Sequence, residues 1–192
     1  MRLAVMISGS GTTLQNLIER ARDGRLPGVE IVVVISSRSD VRGVQVAAAA
    51  GLPCDVIRVK DFDDVQRFSD HITLTLDAFE PDLVVQAGWL CYWRLPPRWI
   101  GKVINLHPAL LPKHGGKGMY GRHVHEAVLA AGETESGATV HWVDNEYDHG
   151  EIIAQRKCPV EPGDTPETLA ARVQAIEREL LPEVIRRLQE KE

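Results

Sequence analysis

The sequence predicts an α/β fold: a mostly parallel, twisted sheet with helices on both faces and an antiparallel strand pair near the C-terminus. Three observations predict it. Apolar runs of strand length alternate with amphipathic stretches of helix length along the 192 residues, the pattern of repeated βα units. Those runs are nearly continuously apolar, as in LVVQAG (83–88), where only Gln86 is polar, which suits strands covered on both faces. Near the end, two strand-like runs are joined by only NEYDHG (145–150), which fits an antiparallel connection and is too short for a crossover.

Taken in order, RLAVMIS (2–8) reads as a strand and TLQNLIERARDG (13–24) as a helix closed by Gly24. EIVVVISS (30–37) is rich in β-branched residues and forms the second strand, followed by a helix over VRGVQVAAAAG (41–51). Short DVIRV (55–59) precedes a longer helical pattern, VQRFSDHITLTLDAF (65–79). LVVQAG is a buried strand, and LPPRWIG (95–101) connects it to KVINLH (102–107). A helix is expected from Tyr120 to Ala131, then strands over ATVHWVD (138–144) and EIIAQRKCPV (151–160). The last helix starts at Thr165, where Asp164 or Thr165 can cap it and Pro166 suits its first turn. Pro182 should end or kink it before a final turn, EVIRRLQEKE. No internal repeat or linker interrupts the chain, so a single domain over 1–192 is expected.

Composition bounds the function. With 44% hydrophobic residues the chain can bury a core. A net charge of −5 argues against a nucleic-acid surface, which needs a basic excess, but leaves room for a local basic pocket. Cys54, Cys91 and Cys158 are too scattered for a disulfide framework and suggest reduced thiols. Gly9 and Gly11 interrupt the N-terminal apolar run too early for a secretory signal. No segment approaches the roughly 18 apolar residues of a membrane span. The expectation is a cytoplasmic protein without membrane or nucleic-acid partners, working as a monomer or homodimer.

SGSGTTLQNL (8–17) follows the first strand and opens the first helix. Gly9 and Gly11 allow close backbone approach to an anion at the helix start, and Thr12 and Thr13 can add hydroxyls. Leu14 replaces the third glycine of a dinucleotide fingerprint, and no Lys-Ser/Thr pair makes a nucleotide-triphosphate loop. The turn suits a single phosphate, or is simply a glycine turn that folds the chain back.

VINLHP raises a sharper question. Alternation puts Asn105 and His107 on one side of a strand that Pro108 then stops. They form either a site or a polar pair satisfied at a sheet edge. Downstream, DNEYDHGEII places Asp144 and Asp148 in the tight connection between two strands, with an unusual backbone expected at Gly150. An acid against His107 would favour its imidazolium. Asn105 and a charged His107 would then donate to a developing oxyanion, the apparatus of acyl transfer without a covalent intermediate. No GxSxG elbow or Cys-His pair competes. Seven histidines invite a metal reading, but HxH at 123–125 splays on a helix and no HExxH appears, so no metal is expected.

GSGTTLQNLI, AGW, INLHPALLPK, DHGEIIAQ and ARVQAIERELLP together resemble the phosphoribosylglycinamide formyltransferase family, from Arg2 to about Leu188. The resemblance implies a Rossmann-like formyltransferase fold. It implies transfer of a formyl group from the co-substrate 10-formyltetrahydrofolate to the amine of glycinamide ribonucleotide in purine (IMP) biosynthesis. In that reading Asn105 and His107 stabilise the oxyanion, and Asp148 supports the histidine's charge and the proton relay. Gly11, Thr12 and Thr13, with Gly9, cradle the phosphate, and Glu177 engages the nucleotide, although its pattern alone would suit a solvated helix face. His141 is a further polar site residue. The folate lies against Trp89, Leu90, Cys91 and the backbone from Val143 and Asp144 to Asp148, beside Asn105.

Several positions depart from the family. GTT stands where GSN is usual, and Cys91 and Val65 occupy positions where arginines commonly pair with the folate's glutamate tail. Arg67, Arg94 or Arg98 are candidates to replace them. HGGKGMYGRHVHEAV (114–128) is longer than the usual connection. Its glycines suggest a flap over the site, on which Lys117 and Arg122 can offset substrate phosphate. The rival reading is 10-formyltetrahydrofolate deformylase, with water as acceptor, or another formyltransferase. The deformylase usually has an extra N-terminal domain, whereas this chain opens on its first strand. A non-catalytic nucleotide-binding module would need only the glycine turn and would have no use for the polar triad.

Overall fold

The computed structural model describes residues 1–190. The last two residues of the expected final turn, Lys191 and Glu192, lie outside the described residues. The strands are β1 Arg2–Ile7, β2 Glu30–Ser36, β3 Cys54–Val56, β4 Leu83–Gln86, β5 Val103–His107, β6 Glu135–Trp142 and β7 Ile152–Pro159. The helices are α1 Thr12–Arg22, α2 Arg42–Ala49, α3 Val65–Phe79, α4 Arg122–Ala130 and α5 Pro166–Gln189. The strands form one seven-stranded sheet in the order β3-β2-β1-β4-β5-β6-β7. The chain falls into two compact units, Met1–Ile104 and Asn105–Glu192.

In the first unit β1 pairs in parallel with both β2 and β4, and β2 with β3. Leu3 through Ile7 are fully buried, as a strand covered on both faces requires. Asp64 caps α3 by accepting from the Arg67 N–H at 2.8 Å, and the helix buries Phe68, Ile72 and Leu76. Two 3-10 turns, Val59–Asp61 and Pro97–Trp99, were not anticipated, because single turns are too short to show a period.

In the second unit β6 and β7 are antiparallel, with a register slip between Val140 and His141. β6 begins at Glu135, earlier than expected. Gly137 permits this, since a Cβ there would lie 2.1 Å from the Arg156 carbonyl oxygen on β7. α4 begins only at Arg122, because Gly118 and Gly121 hold positive φ just before it. Thr165 caps α5 in a reciprocal box with Thr168, while Asp164 instead holds Arg172 through two bonds. α5 does not end at Pro182 but continues to Gln189. An interior proline costs about 3 kcal/mol, and burial of Leu180, Leu181, Val184 and Ile185 around it outweighs that. No helix among the described residues is long and apolar enough to cross a membrane.

Candidate active site

β5 delivers Asn105 and His107 with the expected alternation, Asn105 half-buried and His107 only 3% exposed. The chain then turns through HPALLP, with a cis peptide at Leu111–Pro112. Buried Thr139 on β6 pins that turn, donating to the Ala109 carbonyl at 2.6 Å and accepting from the Leu111 N–H at 3.1 Å. The strand end is therefore a rigid platform for its two polar residues.

His107 Nε2 lies 2.8 Å from the His114 carbonyl oxygen. A carbonyl has no proton to give, so Nε2 is the protonated nitrogen and Nδ1 is the one left open. Nδ1 faces the Asp148 carboxylate at 3.6 Å. Burial lowers the ring's pKa below its ordinary value, although the Asp148 charge and the His114 carbonyl pull it upward. The expected imidazolium is therefore not the resting state. Deep burial outweighs the acid, and His107 rests neutral at pH near 7.

Asp148 has a left-handed backbone, φ 54°, rare for a non-glycine residue. Gly150 does not carry the positive φ. Its role is close approach, because a Cβ there would lie 1.8 Å from the Trp142 carbonyl oxygen. Asp148 Oδ2 accepts the Gly116 N–H at 2.9 Å, and Oδ1 accepts Asn105 Nδ2 at 3.3 Å. Burial pushes this carboxyl up, but hydrogen bonding to His141, the charge of His107 and the Gly116 N–H together hold it below the usual carboxylate range. His141 Nδ1 donates to the Trp142 carbonyl at 2.8 Å, which turns Nε2 toward Asn105 Nδ2 at 3.1 Å. Asn105, His107, His141 and Asp148 thus form one cluster, its histidines buried and the other two half-buried, with a donor amide, a basic ring nitrogen and a carboxylate side by side.

Other expected site residues in this unit have different surroundings. Asp144 accepts from the Glu146 N–H and pairs with His149 at 3.0 Å, and Val143 beside it is half-buried. Lys117 is exposed, and Arg122 is already held by Glu126 and Glu167. Glu177 keeps part of its surface open, yet the surrounding protein desolvates its carboxyl enough to push the pKa up to about 7. That carboxyl is not on a solvated helix face.

In the first unit Gly11 caps α1 with φ 71° and no side-chain cap bond, leaving the helix start without a side-chain acceptor. Its missing side chain is required by packing as well, since a Cβ would lie 2.6 Å from Gly43 Cα. Gly9 has open space around it, and its carbonyl accepts the Gly43 N–H at 3.0 Å. Thr12 is exposed and Thr13 half-buried. Arg42 donates to the Ser10 carbonyl at 3.2 Å and to Gln15, bracing the turn from α2. Trp89 is buried and stacks on Phe68, whereas Leu90 is 40% exposed. Cys91 is half-buried, and burial pushes its thiol up. Of the arginines considered for a carboxylate tail, Arg98 is engaged by Asp77, Arg67 by Asp63 and Arg94 by Gln66. Val65 is 46% exposed at the start of α3.

Sequence reasoning missed the backbone of His114 and Gly116, which contacts both His107 and Asp148. The signal was the glycine pair at 115 and 116. A Cβ on Gly115 would lie 2.5 Å from Leu111 Cδ2 and 3.2 Å from Asp148 Cβ, so the chain must be bare to pass the carboxylate.

The chain is similar to known proteins over nearly its whole length. The formyl transferase family model matches residues 1–185. The phosphoribosylglycinamide formyltransferase of Haemophilus influenzae is 37% identical over 96% of the chain and 85% of its own length. The trifunctional purine biosynthetic protein adenosine-3 of Drosophila pseudoobscura pseudoobscura is 42% identical over 96% of the chain, which spans only 13% of that longer protein. Among solved structures, glycinamide ribonucleotide transformylase 1 from Symbiobacterium toebii superposes with a TM-score of 0.88 at 36% identity, covering 97% of this chain and 86% of that one.

Proposed function

The chain belongs to the formyl transferase family, among its phosphoribosylglycinamide formyltransferases, and from that premise we propose that it formylates the amine of glycinamide ribonucleotide in purine biosynthesis. The formyl donor is 10-formyltetrahydrofolate. The whole chain acts as one formyltransferase domain, its N-terminal half for the nucleotide phosphate and its C-terminal half for folate and catalysis. It works in the cytoplasm on small molecules, as a monomer or homodimer.

The observation that carries the reading is the open Nδ1 of a neutral His107, facing Asp148 at 3.6 Å beside the Asn105 amide. The substrate amine attacks the formyl carbon, the new C–N bond forms, and the carbonyl electrons move onto oxygen. Asn105 Nδ2 donates to that oxygen by exchanging its longer bond, the 3.3 Å contact to Asp148, for the stronger anionic acceptor. His107 Nδ1 takes the proton released by the attacking amine, directly or through water. The imidazolium so formed sits against Asp148, whose carboxyl is held below the usual range, and so ionised, with the help of hydrogen bonding to His141. Collapse breaks the carbon bond to the folate nitrogen, and His107 returns the proton to that leaving nitrogen. The products are formylated nucleotide and tetrahydrofolate.

Gly9, Gly11, Thr12 and Thr13 receive the phosphate in this reading, and Glu177 engages the nucleotide. With its pKa near about 7, Glu177 can meet the incoming amine as either acceptor or donor. Trp89, Leu90, Cys91 and the backbone at Val143 and Asp144 border the folate, and His141 orients Asn105.

The experiment follows 10-formyltetrahydrofolate consumption with and without glycinamide ribonucleotide and identifies the product. Turnover that depends on the nucleotide and yields formylated nucleotide supports the reading. Nucleotide-independent turnover releasing formate would make the chain a deformylase and overturn it.

A further inference from the structure

The geometry points to Glu133 as a positioning residue that fixes His107 through Lys113 and His114, without touching substrate. The nitrogen that must stay protonated for Nδ1 to remain open is Nε2, and the acceptor that holds its proton is the His114 carbonyl at 2.8 Å. That carbonyl belongs to a residue with φ 56°, a backbone state that a non-glycine residue adopts at an energetic cost. The segment beyond it carries glycines at 115, 116, 118 and 121, so it has little stiffness of its own. Something outside the segment must hold the carbonyl in place.

Two carboxylates grip it, one on each side of the carbonyl. Glu133 binds Lys113 Nζ through both oxygens at 3.0 Å, and His114 Nε2 lies 3.2 Å from its Oε1. Asp148 takes the Gly116 N–H at 2.9 Å. Glu133 is itself anchored, since its N–H donates to the Val128 carbonyl of α4 and β6 starts two residues later. Hydrogen bonds from Lys113 and His114 keep its carboxyl ionised, below the usual range. Its side chain is 25% exposed against 67% for Lys113. A partly exposed pair of this kind adds little to stability. Its consequence is conformational: it sets where the His114 carbonyl points, and so which His107 nitrogen faces the reaction. In the mechanism proposed above, a His107 that flips tautomer presents a proton where the amine needs a base.

The inference rests on that mechanism only for its kinetic arm, and the test separates the two. The full chain labelled with 15N-histidine is studied as wild type, Glu133→Gln and His114→Asn, the latter because asparagine tolerates a left-handed backbone. His107→Gln identifies the His107 ring signals. Wild type should show a single Nε2–H tautomer at about pH 7, and both variants should show averaging between tautomers. In formyl transfer, kcat should fall about tenfold or more in the variants, with KM and melting temperature nearly unchanged. Wild-type ring signals in both variants would overturn the inference, as would a loss of rate matched by a loss of melting temperature with the tautomer intact. If wild type transfers no formyl group, the functional reading fails, while the ring signals still decide the clamp.

Discussion

At His107 burial and charge pull in opposite directions, and burial wins. The ring rests neutral and, in the proposed mechanism, gains its proton when the amine releases one. The acid limb of kcat/KM should therefore fall below the ordinary histidine value of 6.5, since activity needs the unprotonated ring. Asp148→Asn removes the charge that raises this pKa, so the limb should move to still lower pH while turnover drops. A limb that moves upward in that variant contradicts the assignment. Glu177 shows the opposite sign. Its folded carboxyl is raised from 4.5 to about 7, so the folded state binds the proton more tightly than the unfolded one. Stability is full below the unfolded value and is lost as pH rises through about 7. Glu177→Gln should raise the melting temperature at about pH 8 and leave it unchanged at about pH 4; equal effects at both would reject this account of its burial. The histidine, asparagine and aspartate were legible because strand alternation and a tight connection are local signals. The resting charge of His107 was not, because the depth of burial at a strand end is set by chain remote in sequence.

Among the elements, the connection between β6 and β7 carries Asp148, and its shape depends on Gly150. Gly150→Ala would drive a Cβ into the Trp142 carbonyl and should cost about 2 kcal/mol or more. Urea unfolding measures this, and an alanine variant of wild-type stability would show that the connection adapts. Formyl transfer should fall with it, because Asp148 lies two residues away. The helix over Val65–Phe79 matches the expectation at both ends, since its pattern is long and Asp64 caps it. Thr165 was one of two expected caps for α5, and the structure selects it; Thr165→Ala should cost about 1 kcal/mol. At Pro182 the helix continues instead of ending, because a proline signals a break only until tertiary burial outweighs it. The 113–122 segment was the least legible. Its glycines suggest a flap over 114–122, and the signal did not show that residues 113–116 are tied to Glu133, His107 and Asp148. Each of those partners is set by a contact that no local pattern encodes.

For the molecule as a whole, the alternation of βα units was enough to predict the sheet, and the strand order follows it with β6 and β7 appended as the antiparallel edge. With an acidic net charge of −5, the anionic substrates of the proposed function would be met by backbone N–H groups and a few local side chains rather than by a broad basic face. At the glycine turn proposed to receive the nucleotide phosphate, Gly11→Ala would force a Cβ against Gly43 and onto a left-handed backbone. It should raise KM for the nucleotide far more than for folate, and equal increases would remove the turn from the nucleotide site. The most direct test of the account is a single-turnover measurement of formyl transfer to glycinamide ribonucleotide by wild type and by His107→Ala, each checked for intact fold by circular dichroism. The account predicts formylated nucleotide from wild type and a rate at least about 100-fold lower from the variant. A folded His107→Ala enzyme with wild-type turnover would contradict it.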